Sequence, residues 1–139
     1  MTRAIEPPEG RQVFACGLTP EPGDIDENGH VNNVVYLRWA QDIATAHWRA
    51  RAGPEDQAAL AWVVLRHEVD YRRPLLPGET ALARTWVADD PQGVRFDRHV
   101  RIDGPDGAMC AQIVTTWALV DQASGRPKRI PPEMAAAFR

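Results

Sequence analysis

The segment from Val34 to Ala52 contains neither proline nor glycine, although the chain of 139 residues holds 12 prolines and 10 glycines. It is long enough for a helix of about five turns. Asn32 or Asn33 can cap its start, and a Gly-Pro pair at positions 53 and 54 can end it. Apolar side chains cover most of its circumference, and the polar side chains form one stripe at Arg38, Gln41, Asp42, Thr45 and Arg49. Other elements must therefore wrap around this helix.

The rest of the chain alternates between apolar and polar residues, as strands do. The predicted strands are Gln12–Leu18, Trp62–Tyr71, Glu79–Ala88, Val94–Ile102 and Ala108–Val120. In the second strand, one face carries Val63, Leu65, His67, Val69 and Tyr71, and we expect this face to pack on the helix with His67 as a neutral core histidine. Two turn-forming segments, residues 89–93 and 104–107, favour hairpins. The pattern predicts one α+β domain over residues 1–139, with an antiparallel sheet wrapped around one long central helix.

Composition excludes several classes of protein. Hydrophobic residues make up 44% and charged residues 25%, and the net charge of -3 gives no general reason to bind nucleic acid or a membrane. Cys16 and Cys110 are far apart and form no metal-binding or disulfide pattern. Residues 1–10 lack the apolar core of a signal peptide, and no apolar run is long enough to span a membrane, so we expect a cytoplasmic protein. The start of the chain and residues 125–139 are expected to be its most mobile parts.

Residues 24–33 form a dense polar loop directly before the helix. Asp24, Asp26, Asn28 and Gly29 match positions 1, 3, 5 and 6 of an EF-hand calcium loop. Position 12, which requires a bidentate glutamate, is occupied by Val35 instead. No metal site is therefore predicted.

Two interpretations of this loop remain when only the residues are considered. Asp, Asn and Gly are the ordinary residues of a turn that caps a helix. A cap needs one side chain, however, whereas this loop collects two acids, a histidine and two asparagines. A carboxylate beside the unpaired N–H groups of a helix N-terminus also suits attack on a carbonyl, because those groups stabilise negative charge. Physical reasoning alone favours neither interpretation.

One run of sequence is D-I-D-E-N-G-H-V-N-N-V-V-Y-L-R-W, and a second run further along is R-H-E-V-D-Y-R-R-P-L-L-P-G-E. Both runs resemble the hotdog-fold acyl-CoA thioesterases of the 4-hydroxybenzoyl-CoA thioesterase type. The resemblance extends from the first strand to the closing G-R-P-K-R-I-P that begins at Gly125, and its G-H-V-N-N-x-x-Y core is fairly specific. It implies a hotdog fold and hydrolysis of an acyl thioester to a free acid and CoA. No cofactor is implied, because coenzyme A is part of the substrate.

The resemblance also implies roles for individual residues. The catalytic acid, three residues before the loop glycine, is Asp26, which acts as a nucleophile or as a general base on water. Asn33 offers its backbone N–H to the thioester carbonyl. Some relatives have His at this position and others an aromatic residue, and the Asn33 side chain is assigned no acid or base role. His30 donates to the substrate or orients Asp26. The predicted substrate contacts are Gly29, Asn32, Val34, Tyr36, Arg72 and Arg73, the two arginines because CoA phosphates bind Arg or Lys.

The assembly and the reaction leave alternatives open. Hotdog relatives commonly pair their sheets and form the acyl site at the subunit interface, which implies a homodimer or a homotetramer. The thiol carrier is CoA or an acyl-carrier protein, and the sequence does not identify the acyl group. A hotdog enoyl-thioester hydratase or dehydratase and a non-catalytic acyl-CoA-binding protein are the alternative functions.

Overall fold

A computed structural model of the chain describes residues 3–139. Its elements are β1 (Phe14–Leu18), α1 (Asn33–Arg51), α2 (Pro54–Ala59), β2 (Leu60–Tyr71), β3 (Ala81–Val87), β4 (Arg95–Asp103), β5 (Met109–Asp121) and α3 (Pro132–Ala137), with a short 3₁₀ turn at Pro22–Asp24. The five strands form one antiparallel sheet in the order β1-β3-β4-β5-β2. The sheet packs around α1, which confirms the predicted α+β class and hotdog fold.

Helix α1 begins and ends close to the predicted positions. Asn32 is the cap, because its side-chain oxygen accepts a hydrogen bond from the Val34 N–H at 3.1 Å. The predicted polar stripe is exposed, and the buried residues are Val35, Tyr36, Trp39, Ala40, Ile43, Ala44 and His47. The C-terminal end of α1 is not formed in the predicted way. Gly53 has a φ of -69° and is not left-handed; it instead precedes α2, whose first residue is proline.

A bulge in β2 changes which side chains face the helix. The register against β5 shifts between Val64 and Arg66, and an extra residue in a strand moves all later side chains to the other face. His67 and Val69 lie on the side of α1, as predicted, but the prediction was wrong for Val63 and Leu65. Val63 precedes the bulge and Leu65 lies in it, and the two side chains are 42% and 48% exposed.

The C-terminal segment, which was expected to be mobile, packs on the domain. Its backbone pairs with the end of β5 through the Lys128 N–H and the Leu119 carbonyl, at 2.8 Å. Phe138 in the segment is buried and stacks on Trp48 of α1, with ring centroids 5.7 Å apart. This segment closes a second core cluster beneath the C-terminal half of α1. Among the helices of residues 3–139, none has the length and apolar composition that a membrane span requires.

Candidate active site

The loop before α1 folds back on itself as a tight turn. Ile25 and Val31 form an antiparallel bridge, and the Asp26 N–H donates to the His30 carbonyl at 2.9 Å. Gly29 closes the turn with a φ of 76°, a conformation that glycine adopts without the steric cost of a side chain. The predicted substrate contact Gly29 therefore has a local structural role, and it does not line the cleft described below.

Asp24 is held inside the protein. Its side chain accepts hydrogen bonds from the Glu21 N–H at 2.9 Å and from the Arg38 guanidinium at 3.0 Å, one on each oxygen. The Glu21 hydrogen bond, with a smaller contribution from Arg38, lowers the pKa of Asp24 against the opposing effect of burial. Both carboxylate oxygens are thus occupied by partners that fix the loop.

Asp26 has a different environment. Its Oδ1 accepts hydrogen bonds from the backbone N–H groups of Asn28 at 2.9 Å and His30 at 3.3 Å. Its Oδ2 has no hydrogen-bond partner within residues 3–139. One oxygen therefore orients the carboxylate while the other remains available for a reaction. The His30 contact comes from the backbone and not from the imidazole ring.

The start of α1 supplies one unoccupied donor. N–H groups in the first helical turn have no partner within the helix. Asn32 accepts the hydrogen bonds of two of these groups: its side chain accepts from the Val34 N–H, and its carbonyl accepts from the Val35 N–H at 2.9 Å. The Asn33 N–H has no hydrogen bond within the described part of the chain. Asn33 is therefore the residue with a free N–H at the helix start, and the predicted substrate contact Val34 is exposed outside the cleft.

A cleft of about 290 Å³ brings most of the predicted site residues together. Those that line it are Asp26, His30, Asn32, Asn33, Tyr36, Arg72 and Arg73. Tyr36 is largely buried, and its hydroxyl accepts a hydrogen bond from the Leu75 N–H at 3.1 Å, so it also packs the core as a structural residue.

Sequence reasoning missed Tyr71 as a residue of this cleft. Its hydroxyl donates a hydrogen bond to the Asn33 carbonyl at 3.0 Å and so connects the end of β2 to the start of α1. The alternation in β2 placed Tyr71 on the helix side of the strand. No local signal connected it with a residue 38 positions away.

The two arginines of the cleft are not equivalent. Arg73 forms an ion pair with Glu79 at 2.8 Å and lies 3.5 Å from Asp106, and the hydrogen bond to Glu79 raises the pKa of Arg73. Arg72 forms no ion pair within residues 3–139, and its Nη2 is buried without a hydrogen-bond partner there. Arg72 therefore carries the uncompensated positive charge at this cleft.

Other candidate groups have structural contacts. His67 Nδ1 lies 2.8 Å from the Thr115 hydroxyl, and burial lowers the pKa of His67, which agrees with a neutral core histidine. Within residues 3–139, no three His, Cys, Asp or Glu side chains are grouped as metal ligands.

Comparison with known proteins identifies the family of this chain. The family model of the Thioesterase-like superfamily matches residues 20–138. No curated protein sequence matches the chain.

Several solved structures share the fold. A thioesterase from Thermus thermophilus complexed with coenzyme A and Zn is 24% identical, with 94% of this chain and 95% of that chain covered and a TM-score of 0.79. A 1,4-dihydroxy-2-naphthoyl-CoA thioesterase from Synechocystis is 14% identical, with 91% and 96% covered and a TM-score of 0.77. A hypothetical protein from Staphylococcus aureus in complex with CoA is 15% identical, with 95% and 85% covered and a TM-score of 0.79.

Proposed function

Because the chain belongs to the Thioesterase-like superfamily, we propose that it hydrolyses an acyl-CoA thioester to a free acid and coenzyme A. One observation carries this proposal. A carboxylate with one tethered and one unoccupied oxygen, Asp26, shares a cleft with Asn33, whose N–H is unoccupied at a helix N-terminus. These are the two groups that acyl transfer needs, a base or nucleophile and a donor for the oxyanion.

The reaction follows from these two groups. Asp26 Oδ2 attacks the thioester carbon to form a mixed anhydride as the C–S bond breaks and the CoA thiolate leaves, and water then hydrolyses the anhydride. Alternatively, Oδ2 takes a proton from a water molecule that attacks the same carbon, the C–S bond breaks, and the proton passes from Asp26 to the departing CoA thiolate. Both routes place negative charge on the carbonyl oxygen, where the Asn33 N–H and the helix dipole stabilise it. Loss of one such donor raises a barrier by about 3 kcal/mol.

Coenzyme A is the proposed thiol carrier. Two of the similar structures contain it, those from Thermus thermophilus and Staphylococcus aureus. We assign the phosphate contact to Arg72, because Arg73 is already paired with Glu79. The roles of His30, Asn32 and Tyr36 toward the substrate stay predictions, as does a cytoplasmic location.

A homodimer is the proposed assembly. Strand β2 is a 12-residue strand at the edge of the sheet, and its outer backbone groups need a partner. Val63 and Leu65 on this strand are large, apolar and exposed. We propose that the β2 strands of two subunits pair and cover these side chains.

The test is thiol release from a panel of short, medium, long and aromatic acyl-CoAs. Asp26→Asn keeps an oxygen that accepts from Asn28 and His30, so the loop is preserved while the reactive carboxylate is lost. We expect kcat to fall by about 100- to 10,000-fold. Glu27→Gln, at an exposed neighbouring carboxylate, is the control and should retain activity.

Other results would contradict the proposal. Full thiol release by Asp26→Asn would remove Asp26 from the mechanism. Enoyl absorbance changes without thiol release would indicate a hydratase. Binding of CoA without turnover of any thioester in the panel would indicate a non-catalytic binding protein.

A further inference from the structure

A buried arginine without a counterion lies near the other end of α1. Arg98 on β4 is only 8% exposed, yet no carboxylate within residues 3–139 forms an ion pair with it. Its Nη1 donates to His47 Nδ1 at 2.9 Å and to the Thr85 hydroxyl at 3.1 Å. Burial of a guanidinium without an anion costs several kcal/mol. The described part of the fold therefore supplies no anion to balance this charge.

His47 does not provide the missing charge. It is fully buried, and burial, with a further contribution from the Arg98 charge, lowers the pKa of His47 to about 4. The neutral ring accepts from Arg98 at Nδ1, and its Nε2 then donates to the Gln12 side-chain oxygen at 2.6 Å. Burial lowers the pKa of Arg98 only to about 10, so the guanidinium stays charged at neutral pH. The contacts orient Arg98 without neutralising it.

A cavity of about 300 Å³ opens beside this guanidinium. Besides Arg98, its wall contains five aromatic rings: Trp48, Trp62, Phe96, Trp117 and Phe138. Arg49 and Asp97 are its other charged lining residues and are both exposed, and Asp97 accepts a hydrogen bond from the Thr116 hydroxyl. The volume equals about ten water molecules at about 30 Å³ each. The cavity thus combines a fixed cation, an apolar wall and room for a small organic molecule.

The cavity is separate from the candidate active site. The two share no lining residue. Asn33 and His47 are 14 positions apart on α1, which corresponds to about 20 Å along the helix axis. A ligand in one site therefore does not occupy the other.

We propose that this cavity is a second ligand site, which binds a small monocarboxylate with an aromatic or aliphatic body. The carboxylate pairs with Nε and Nη2 of Arg98, which have no hydrogen-bond partner within residues 3–139, and the body packs against the aromatic rings. The site goes beyond the thioesterase proposal and does not depend on it.

The test titrates benzoate and octanoate into the purified protein near neutral pH. Binding is followed by calorimetry and by the fluorescence of the tryptophans that line the cavity. The neutral probes are benzyl alcohol and octan-1-ol. Each titration is run with and without saturating coenzyme A, so that binding at the candidate active site is distinguished from binding here.

Arg98→Met removes the charge and keeps most of the side-chain volume. We expect it to weaken binding of the acids by about 10- to 100-fold and to leave binding of the alcohols unchanged. Arg95→Met, on the same strand but exposed, is the matched control and should bind like the wild type. If Arg98→Met does not fold, Thr45→Trp fills the cavity from an exposed position on α1 and should abolish binding of both acids.

Three results would overturn the proposal. They are no binding of either acid by the wild type at millimolar concentration, equal affinity for acids in Arg98→Met and wild type, and affinity for the alcohols equal to that for the acids. Displacement of the acids by coenzyme A would also overturn it, because it would place them in the other cleft.

Discussion

His47 makes the stability of this protein depend on pH in a calculable way. Its ring stacks on Phe14 and meets the edge of Phe138, at centroid distances of 5.1 and 5.0 Å, and its pKa is lowered from 6.5 to about 4. The unfolded chain binds a proton at this residue below about pH 6.5, whereas the folded protein excludes it until about pH 4. The contribution to stability is therefore complete above pH 6.5 and is lost as the pH falls. At about 1.4 kcal/mol per pH unit, the loss is about 2 kcal/mol at pH 5 and about 3 kcal/mol at pH 4.

Urea unfolding of wild type and His47→Asn, at one fixed protein concentration between about pH 7.5 and about pH 4.5, measures this effect. Asn cannot titrate, and its side-chain oxygen can still accept from Arg98. The variant is expected to be less stable at neutral pH, because it loses the contacts with Phe14 and Phe138. The gap in unfolding free energy should shrink by about 2 kcal/mol between pH 7.5 and pH 5. His67 and His99, whose pKa values burial also lowers, are common to both proteins and cancel in the difference. A constant gap across this range would refute the reasoning.

Two further predictions concern the cleft and the assembly. Tyr71→Phe removes the hydrogen bond to the Asn33 carbonyl, and a lost neutral hydrogen bond of about 1 kcal/mol should lower kcat in the thiol-release assay by about fivefold; an unchanged kcat would show that this contact does not position Asn33. Leu65→Lys places a charge in the proposed β2 interface and should convert dimers to monomers in light scattering, whereas Leu82→Lys, equally exposed on β3, should not. A wild-type protein that is monomeric at micromolar concentration would contradict the assembly.

Local signals were sufficient for the main elements of the fold. The predicted helix over Val34–Ala52 differs from α1 by one residue at each end, because the asparagine cap and the absence of Pro and Gly are properties of the segment itself. The bulge near Leu65 was not predictable in this way. An alternating pattern fits either face of a strand equally well. Only the pairing with β5 therefore shows where an extra residue exchanges the two faces.

The elements that the sequence pattern missed depend on tertiary contacts. Helices α2 and α3 have six residues each, too few to show a helical period, and each begins at a proline. The first of these, Pro54, was interpreted only as part of the signal that ends the long helix. In α3 the stabilisation comes from packing, since Met134 and Ala135 are buried within the second core cluster. The expectation of mobility for residues 125–139 failed for the same reason.

In the candidate sites, too, residues close in sequence were predicted together, whereas residues brought in from distant strands were missed. The polar loop places Asp26, His30 and Asn33 in one cleft because they are close in sequence and the turn is short. Tyr71 comes from a distant strand and was missed. Arg98 alternates with its neighbours like an ordinary exposed strand residue, and only the antiparallel pairing shows that it lies opposite Thr115 on the face that packs against α1.

The dipole of α1 bears on both ends of the molecule, but with different weight. At the N-terminus it favours negative charge near Asn33, where the proposed oxyanion forms. At the C-terminus it favours a cation such as Arg98, which contacts His47 in the last turns of the helix. This effect amounts to about 0.3–2 kcal/mol, whereas burial of an unpaired guanidinium costs several kcal/mol. The dipole therefore offsets only part of the free-energy cost of burying Arg98. An anion bound in the adjoining cavity would supply the missing counterion.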